Sequence, residues 1–205
     1  MKPAGLVRFP PAEFSQMLRH RPRYICDWPD FRPSAVLVPL LMTDGQDPEV
    51  LFIVRTATLP THAGQVAFPG GKMDAEDPTL EHTALRENRE ELGILAEQVT
   101  VLGLLDDVPS PHFFSITPVV GLVSAPVQLC PNRHEVADTF TLPLYDLPRL
   151  YRPGKPIRWR GVTYVMHEFA HPKYHIWGAT AAVLRQLLFL LGLAEDDGRL
   201  VVPET

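Results

Sequence analysis

Apolar residues along the chain fall into short runs separated by Gly, Pro, Asp and Asn, with helical spacing confined to a few windows. AVLVPLL (35–41) and VLFIVRT (50–56) read as buried strands. The TDGQDPE between them, with its Asp-Gly and Asp-Pro steps, predicts a hairpin turn. QVAFPGG predicts a short strand ending in a glycine turn. Further strands are expected at VTVLGLL (99–105), ITPVVGLV (116–123), VADTFTLPL (136–144) and VTYVMHEF (162–169). Helical patterns occupy AEFSQMLRH near the N-terminus, the segment after Asp77-Pro78, and ATAAVLRQLLFLLGLA (179–194). In the middle one, Asp77 is the expected N-cap, Pro78 the first helical position and Gly93 the stop. Strands outnumber helices, which predicts an α+β architecture with a mixed sheet and helices on both faces. No internal repeat or low-complexity tract interrupts it.

The middle helix carries an irregular charge pattern. Glu87, Glu90 and Glu91 fall within an arc of about 100° on one face. Like charges so placed repel by roughly 0.2–0.5 kcal/mol per pair. A solvated acidic face is the ordinary explanation; the neighbouring Gly70-Gly71 favours a compensating cation instead. Mg²⁺ and similar hard cations prefer carboxylate oxygens and usually keep several waters, so the pattern points to a metal site that handles phosphates. Ala84, Leu85 and Leu92 lie opposite the glutamates and should face the core. Asn88 falls among them, where a small apolar residue is expected, and burial without partners would cost roughly 1–3 kcal/mol.

Length and composition narrow the picture. The 205 residues fit one domain, divided here into an N-terminal helix and connector (1–33), a main domain (34–195) and a C-terminal tail (196–205). A net charge of −5 argues against a general nucleic-acid surface, and any anionic ligand must be drawn by local cations. Cys26 and Cys130 are too few for a disulfide framework and read as free thiols. MKPAGLVRFPPAEF lacks the apolar run of a signal peptide, and VLRQLLFLLGLA is too short and too interrupted to span a bilayer. A cytoplasmic protein with no membrane partner is the expectation. A homodimer built on the apolar C-terminal helix or the N-terminal segment stays open.

Gly71, Arg86-Glu87, Glu90-Glu91 and Gly93-Ile94 resemble the Nudix box, the signature of hydrolases that cleave a nucleoside diphosphate linked to another moiety. Asp77 stands six positions after Gly71, as in the general box, but Arg86 follows nine later, one more than usual. That insertion and LPTHAGQVAFPGGKMD look like the coenzyme A pyrophosphatase branch, as do TPVVG (117–121), NRHEVADTFTLPL (132–144) and WGATAAVLRQL (177–187). The resemblance spans roughly residues 35–192. Two positions depart from the branch: Pro60 stands where Arg is usual, and Asn88 replaces Ala.

What this resemblance implies is a Nudix-like α/β/α sandwich and Mg²⁺- or Mn²⁺-dependent cleavage of coenzyme A into 3′,5′-ADP and 4′-phosphopantetheine. Hydrolysis of another dinucleotide, such as ADP-ribose or NADH, is the alternative within the class. A nucleotide-binding module without turnover is the alternative outside it, and the three retained carboxylates count against that.

Chemistry assigns the roles. The pyrophosphate repels a nucleophile until its charge is neutralised, which divalent ions achieve while lowering the pKa of a bound water. Glu87 and Glu91, one turn apart, are the expected metal ligands, with Glu90 and the Gly71 carbonyl completing the set. Arg86, one turn from Glu90, either holds that carboxylate or forms an ordinary surface ion pair. For Glu135, outside the box, the resemblance to Nudix enzymes that recruit a late glutamate implies a general base or outer metal partner; a strand-start surface charge is the alternative. Arg55, His62 and Lys72 flank the glycine segment as candidate phosphate contacts, His62 being as readily a structural histidine.

Overall fold

The computed structural model describes residues 9–57, 63–159 and 162–195. Its core is an eight-stranded mixed sheet. The long strand β1 (Arg32–Met42) runs parallel to β7 (Phe114–Ser124) through eleven consecutive pairs, Arg32 facing Phe114 and Met42 facing Ser124. All other pairings in the sheet are antiparallel. β2 (Glu49–Arg55) returns beside β1, with Leu40 opposite Val50, as the hairpin pattern predicts. β8 (Val136–Pro143) and the short β3 (Val66–Ala67) both pair with β2, β5 (Val99–Leu104) and β6 (Val108–Pro109) with β7, and β4 (Gly70–Lys72) with β1.

Alternation along β1 sorts the layers. Ala35 and Leu37 face one way and are covered by Ala84 on α2 (Leu80–Leu92). Val38 and Leu40 face the other way, into a larger core. That core includes Phe14 and Leu18 of α1 (Pro11–His20) and Leu184, Leu187 and Leu188 of α4 (Gly178–Leu190). The result is the expected sandwich of helices around a mixed sheet.

A second sheet of three strands, β9 (Tyr151–Trp159), β10 (Val162–Ala170) and β11 (His175–Trp177), follows a one-turn helix α3 (Leu147–Leu150). Phe169 and Ile176 bury it against the α4 core. β9, β11 and α3 are absent from the hydrophobic pattern. YRPGKPIRW has two prolines and four basic or glycine positions, and it is a strand because β10 pairs with it.

The N-terminal segment is part of this body. Besides Phe14 and Leu18, its connector is pinned by two buried aspartates. Asp106 accepts from Arg21 (2.7 Å) and the Tyr24 amide (2.9 Å), and Asp107 from Arg23 (2.7 Å), the Cys26 amide (2.9 Å) and Thr117 (2.6 Å). Cys26 is a buried free thiol and Cys130 an exposed one. Among the described residues no helix is long and apolar enough to cross a membrane. The tail 196–205 lies outside the described residues.

Candidate active site

Two expectations around the glutamate helix are corrected. Gly70 and Gly71 are not a turn: they form β4 and pair with Val36 and Ala35. Asp77 is not the N-cap: Thr79 is, its hydroxyl accepting from the His82 amide at 3.3 Å, so Pro78 stays outside the helix. Asp77 is drawn away because its carboxylate serves Arg86 (2.9 Å) and the Thr83 hydroxyl (3.0 Å). Asn88 lies on the core face as its position implies. It is fully buried and donates to the Ile94 carbonyl at 3.2 Å, which ties the helix to the chain beyond its stop, while its Oδ1 has no partner. Gly93 stops the helix as expected, in the left-handed conformation at φ 74°.

The glutamates differ sharply in setting. Glu90 is mostly exposed, Glu87 is largely covered, and the Glu91 side chain is 2% exposed. Gly70 donates its amide to Glu91 Oε2 at 2.9 Å, so strand β4 grips the second carboxylate directly. A Cβ on Gly71 would collide with the Glu87 carboxylate, so the absence of a side chain lets that carboxylate lie against the strand. Burial raises the Glu91 carboxyl to about 8, against the Gly70 amide and Arg55, which pull it down. Burial likewise raises Glu87, opposed by its bond to Arg86. Each glutamate adds like charge to its neighbours, and Glu135 does so to both Glu87 and Glu91.

Arg86 is the organiser. Its guanidinium reaches Asp77, the Lys72 carbonyl (3.0 Å), Glu87 (2.9 Å) and Glu90 (3.4 Å). That multiplicity excludes the ordinary surface pair and uses the planar fork of arginine fully. The same contacts hold Asp77 down at about 2 and raise the Arg86 pKa further. Asp77, expected as the helix cap, is instead the partner of Arg86, a role the sequence did not assign it. Its place six residues after Gly71 is the signal that could have found it.

Two of the remaining expected residues join this cluster. Arg55, at the end of β2, lies 3.7 Å from Glu91 and keeps a buried Nε without a partner. Glu135 precedes β8, and its carbonyl accepts from the Thr56 amide at 2.9 Å, one residue beyond Arg55. Lys72 is turned elsewhere. Strand alternation puts it on the face opposite Gly71, and its ammonium lies 5.7 Å from the centre of the Phe114 ring. His62 and Pro60 lie outside the described residues.

The donor set suits a hard divalent cation. Two carboxylates that are costly to ionise when buried become favourable beside a double positive charge. Among the described residues no group of three His, Cys, Asp or Glu side chains closes on a single point. One or two carboxylates completed by water and substrate phosphate are the usual provision for Mg²⁺.

A mixed sheet whose glycine strand grips the carboxylates of an adjacent helix is therefore suited to hold a cation against phosphate oxygens. The NUDIX domain model matches residues 31–161, and the chain belongs to the Nudix family of hydrolases. It is 43% identical over 155 residues to Nudix hydrolase NudL of Yersinia enterocolitica, covering 75% of this chain and 78% of that one. It is 41% identical over 159 residues to NudL of Pectobacterium atrosepticum, covering 76% and 81%. A solved Nudix hydrolase from M. smegmatis, RenU, shares the fold at a TM-score of 0.55 and 22% identity, over 78% of this chain and 86% of that one. Members of the family generally use divalent metals such as Mg²⁺ or Mn²⁺.

Proposed function

We propose that this Nudix hydrolase cleaves the pyrophosphate of coenzyme A, giving 3′,5′-ADP and 4′-phosphopantetheine. The observation that carries the substrate reading is the GQVAFPGG string (64–71) with the lengthened Asp77–Arg86 interval, both features of the coenzyme A branch. The two ends of that interval meet in the fold, Arg86 donating to Asp77 at 2.9 Å.

In this reading Glu87 and Glu91 hold Mg²⁺ or Mn²⁺, with Glu90 and the Gly71 carbonyl beside them. The cation, when bound, neutralises pyrophosphate charge and makes a water easier to deprotonate. Glu135 accepts the proton of the attacking water, whose oxygen bonds to phosphorus as the bridging P–O bond breaks. Arg55 exchanges its contact with Glu91 for a phosphate oxygen. Arg86 and Asp77 touch no substrate and keep Glu87 and Glu90 aimed. The reaction is cytoplasmic and needs no nucleic acid or membrane.

The test is product analysis with Mg²⁺ on coenzyme A, 3′-dephospho-coenzyme A, ADP-ribose and NADH. The expected result is 3′,5′-ADP and 4′-phosphopantetheine, with kcat/KM highest on coenzyme A. A clear preference for ADP-ribose or NADH would reject this substrate and leave a Nudix hydrolase of another dinucleotide.

A further inference from the structure

The loop before Glu135 is built into the end of the glutamate helix. The last carbonyls of an α-helix have no partners within it. Here two are taken by one distant segment: Cys130 donates its amide to the Leu92 carbonyl at 2.8 Å, and Asn132 to the Glu91 carbonyl at 2.9 Å. The segment approaches so closely that a Cβ on Gly93 would come within 2.8 Å of Cys130 Cβ. Gly93 therefore serves the loop as well as the helix stop.

Asn132 passes this anchorage on. Its carbonyl accepts the amides of Glu135 (3.0 Å) and Val136 (2.8 Å), and its side-chain Oδ1 accepts the His134 amide at 3.1 Å, an Asx turn. From the other side, the buried Thr56 donates its hydroxyl to the His134 carbonyl at 2.9 Å and its amide to the Glu135 carbonyl at 2.9 Å. Glu91 and Glu135 are thus joined through one residue, and Arg55 and Glu135 through another.

We propose that Asn132 and Thr56 are positioning residues that fix Glu135 relative to the Glu87–Glu91 pair and so set the rate of the chemical step. The inference rests on Glu135 acting in catalysis, as argued above. A carboxylate on an eleven-residue connection between β7 and β8 (125–135) would otherwise sample many positions. Misplacement of a reacting group by about 1 Å can cost 10²-fold.

The experiment measures kcat and KM for coenzyme A with Mg²⁺ in Asn132→Ala, Asn132→Asp, Thr56→Val and Thr56→Ser, each also combined with Glu135→Gln. Asn132→Ala and Thr56→Val should lower kcat about tenfold with KM within twofold. Asn132→Asp and Thr56→Ser retain the oxygen concerned and should stay within threefold of the parent. In the Glu135→Gln background, Asn132→Ala and Thr56→Val should change kcat less than twofold, because the group they position no longer acts. Equal losses in both backgrounds would overturn the inference while leaving Glu135 its role. An inert Glu135→Gln would overturn both that role and the inference. Thermal midpoints and far-UV spectra, read on every variant, separate a positioning loss from unfolding. A tenfold kcat loss that the conservative variants fail to restore would also count against it.

Discussion

Glu91 should destabilise the protein until a cation arrives. Its carboxyl is raised from 4.5 to about 8, chiefly by burial. An acid whose folded pKa exceeds its unfolded one binds a proton more tightly in the native state. Its stabilising contribution is therefore complete below pH about 4.5 and is lost as pH rises through about 8. The span of three to four pH units corresponds to roughly 5 kcal/mol at about 1.4 kcal/mol per unit. Relaxation and water penetration recover part of such a penalty, which leaves an expected effect of about 2 kcal/mol. In Glu91→Gln the amide oxygen still accepts from Gly70, and no charge needs burying. Without metal, the variant should match the parent at pH 5 and exceed it by about 2 kcal/mol at pH 8.5, or about 4–8 °C in Tm for a chain of this size. Mg²⁺ should raise the parent's midpoint at pH 8.5 and leave that of the variant nearly unchanged. Denaturant titrations at the two pH values, with and without Mg²⁺, read all four terms. A variant less stable than the parent at pH 8.5, or one that responds equally to Mg²⁺, would refute the reasoning.

Glu87→Gln should lower turnover by at least about 10²-fold with the fold intact, since it weakens the hold on the neutralising cation; near-parent rates would remove Glu87 from the ligand set. Gly71→Ala should lower activity comparably by forcing the Glu87 carboxylate off the strand, and a metal titration should show weakened Mg²⁺ binding. Arg86→Lys should cost nearly as much stability as Arg86→Gln, on the order of 2 kcal/mol, because an ammonium cannot reach Asp77, Glu87 and the Lys72 carbonyl together. Urea midpoints for the two variants compare them directly, and a fully stable Arg86→Lys would reduce the fork to simple charge. The Asp77 carboxyl, held near 2 by that fork, should add an acid-labile contribution present above pH about 4 and lost as pH falls toward 2; Asp77→Asn should lack that loss.

What was legible in the chain depended on whether the cause lay within a segment. The long strands and the outer helices follow from apolar runs that bury themselves; the structure repeats most of their ends within a residue or two, but β1 begins three residues before the expected 35 and α4 stops at Leu190, four before the expected 194. YRPGKPIRW carries no such signal, because its strand geometry is imposed by β10. The same division holds at the site. Spacing puts Glu87 and Glu91 one turn apart on one face of a helix and ranks them ahead of Glu90, yet it does not show their depth: only strand β4 decides that Glu91 is buried while Glu90 is exposed. Asp77 shows the limit most clearly. Its local chemistry fits an N-cap as well as Thr79 does. The choice falls to Thr79 because Arg86, nine residues away, claims the aspartate. Glu135 is forty-four residues from Glu91, and nothing between them in the sequence announces that Asn132 joins them. The helix supplies the charge, while the backbone of remote segments supplies its geometry. Substitutions that leave every glutamate in place should therefore still be able to silence the enzyme.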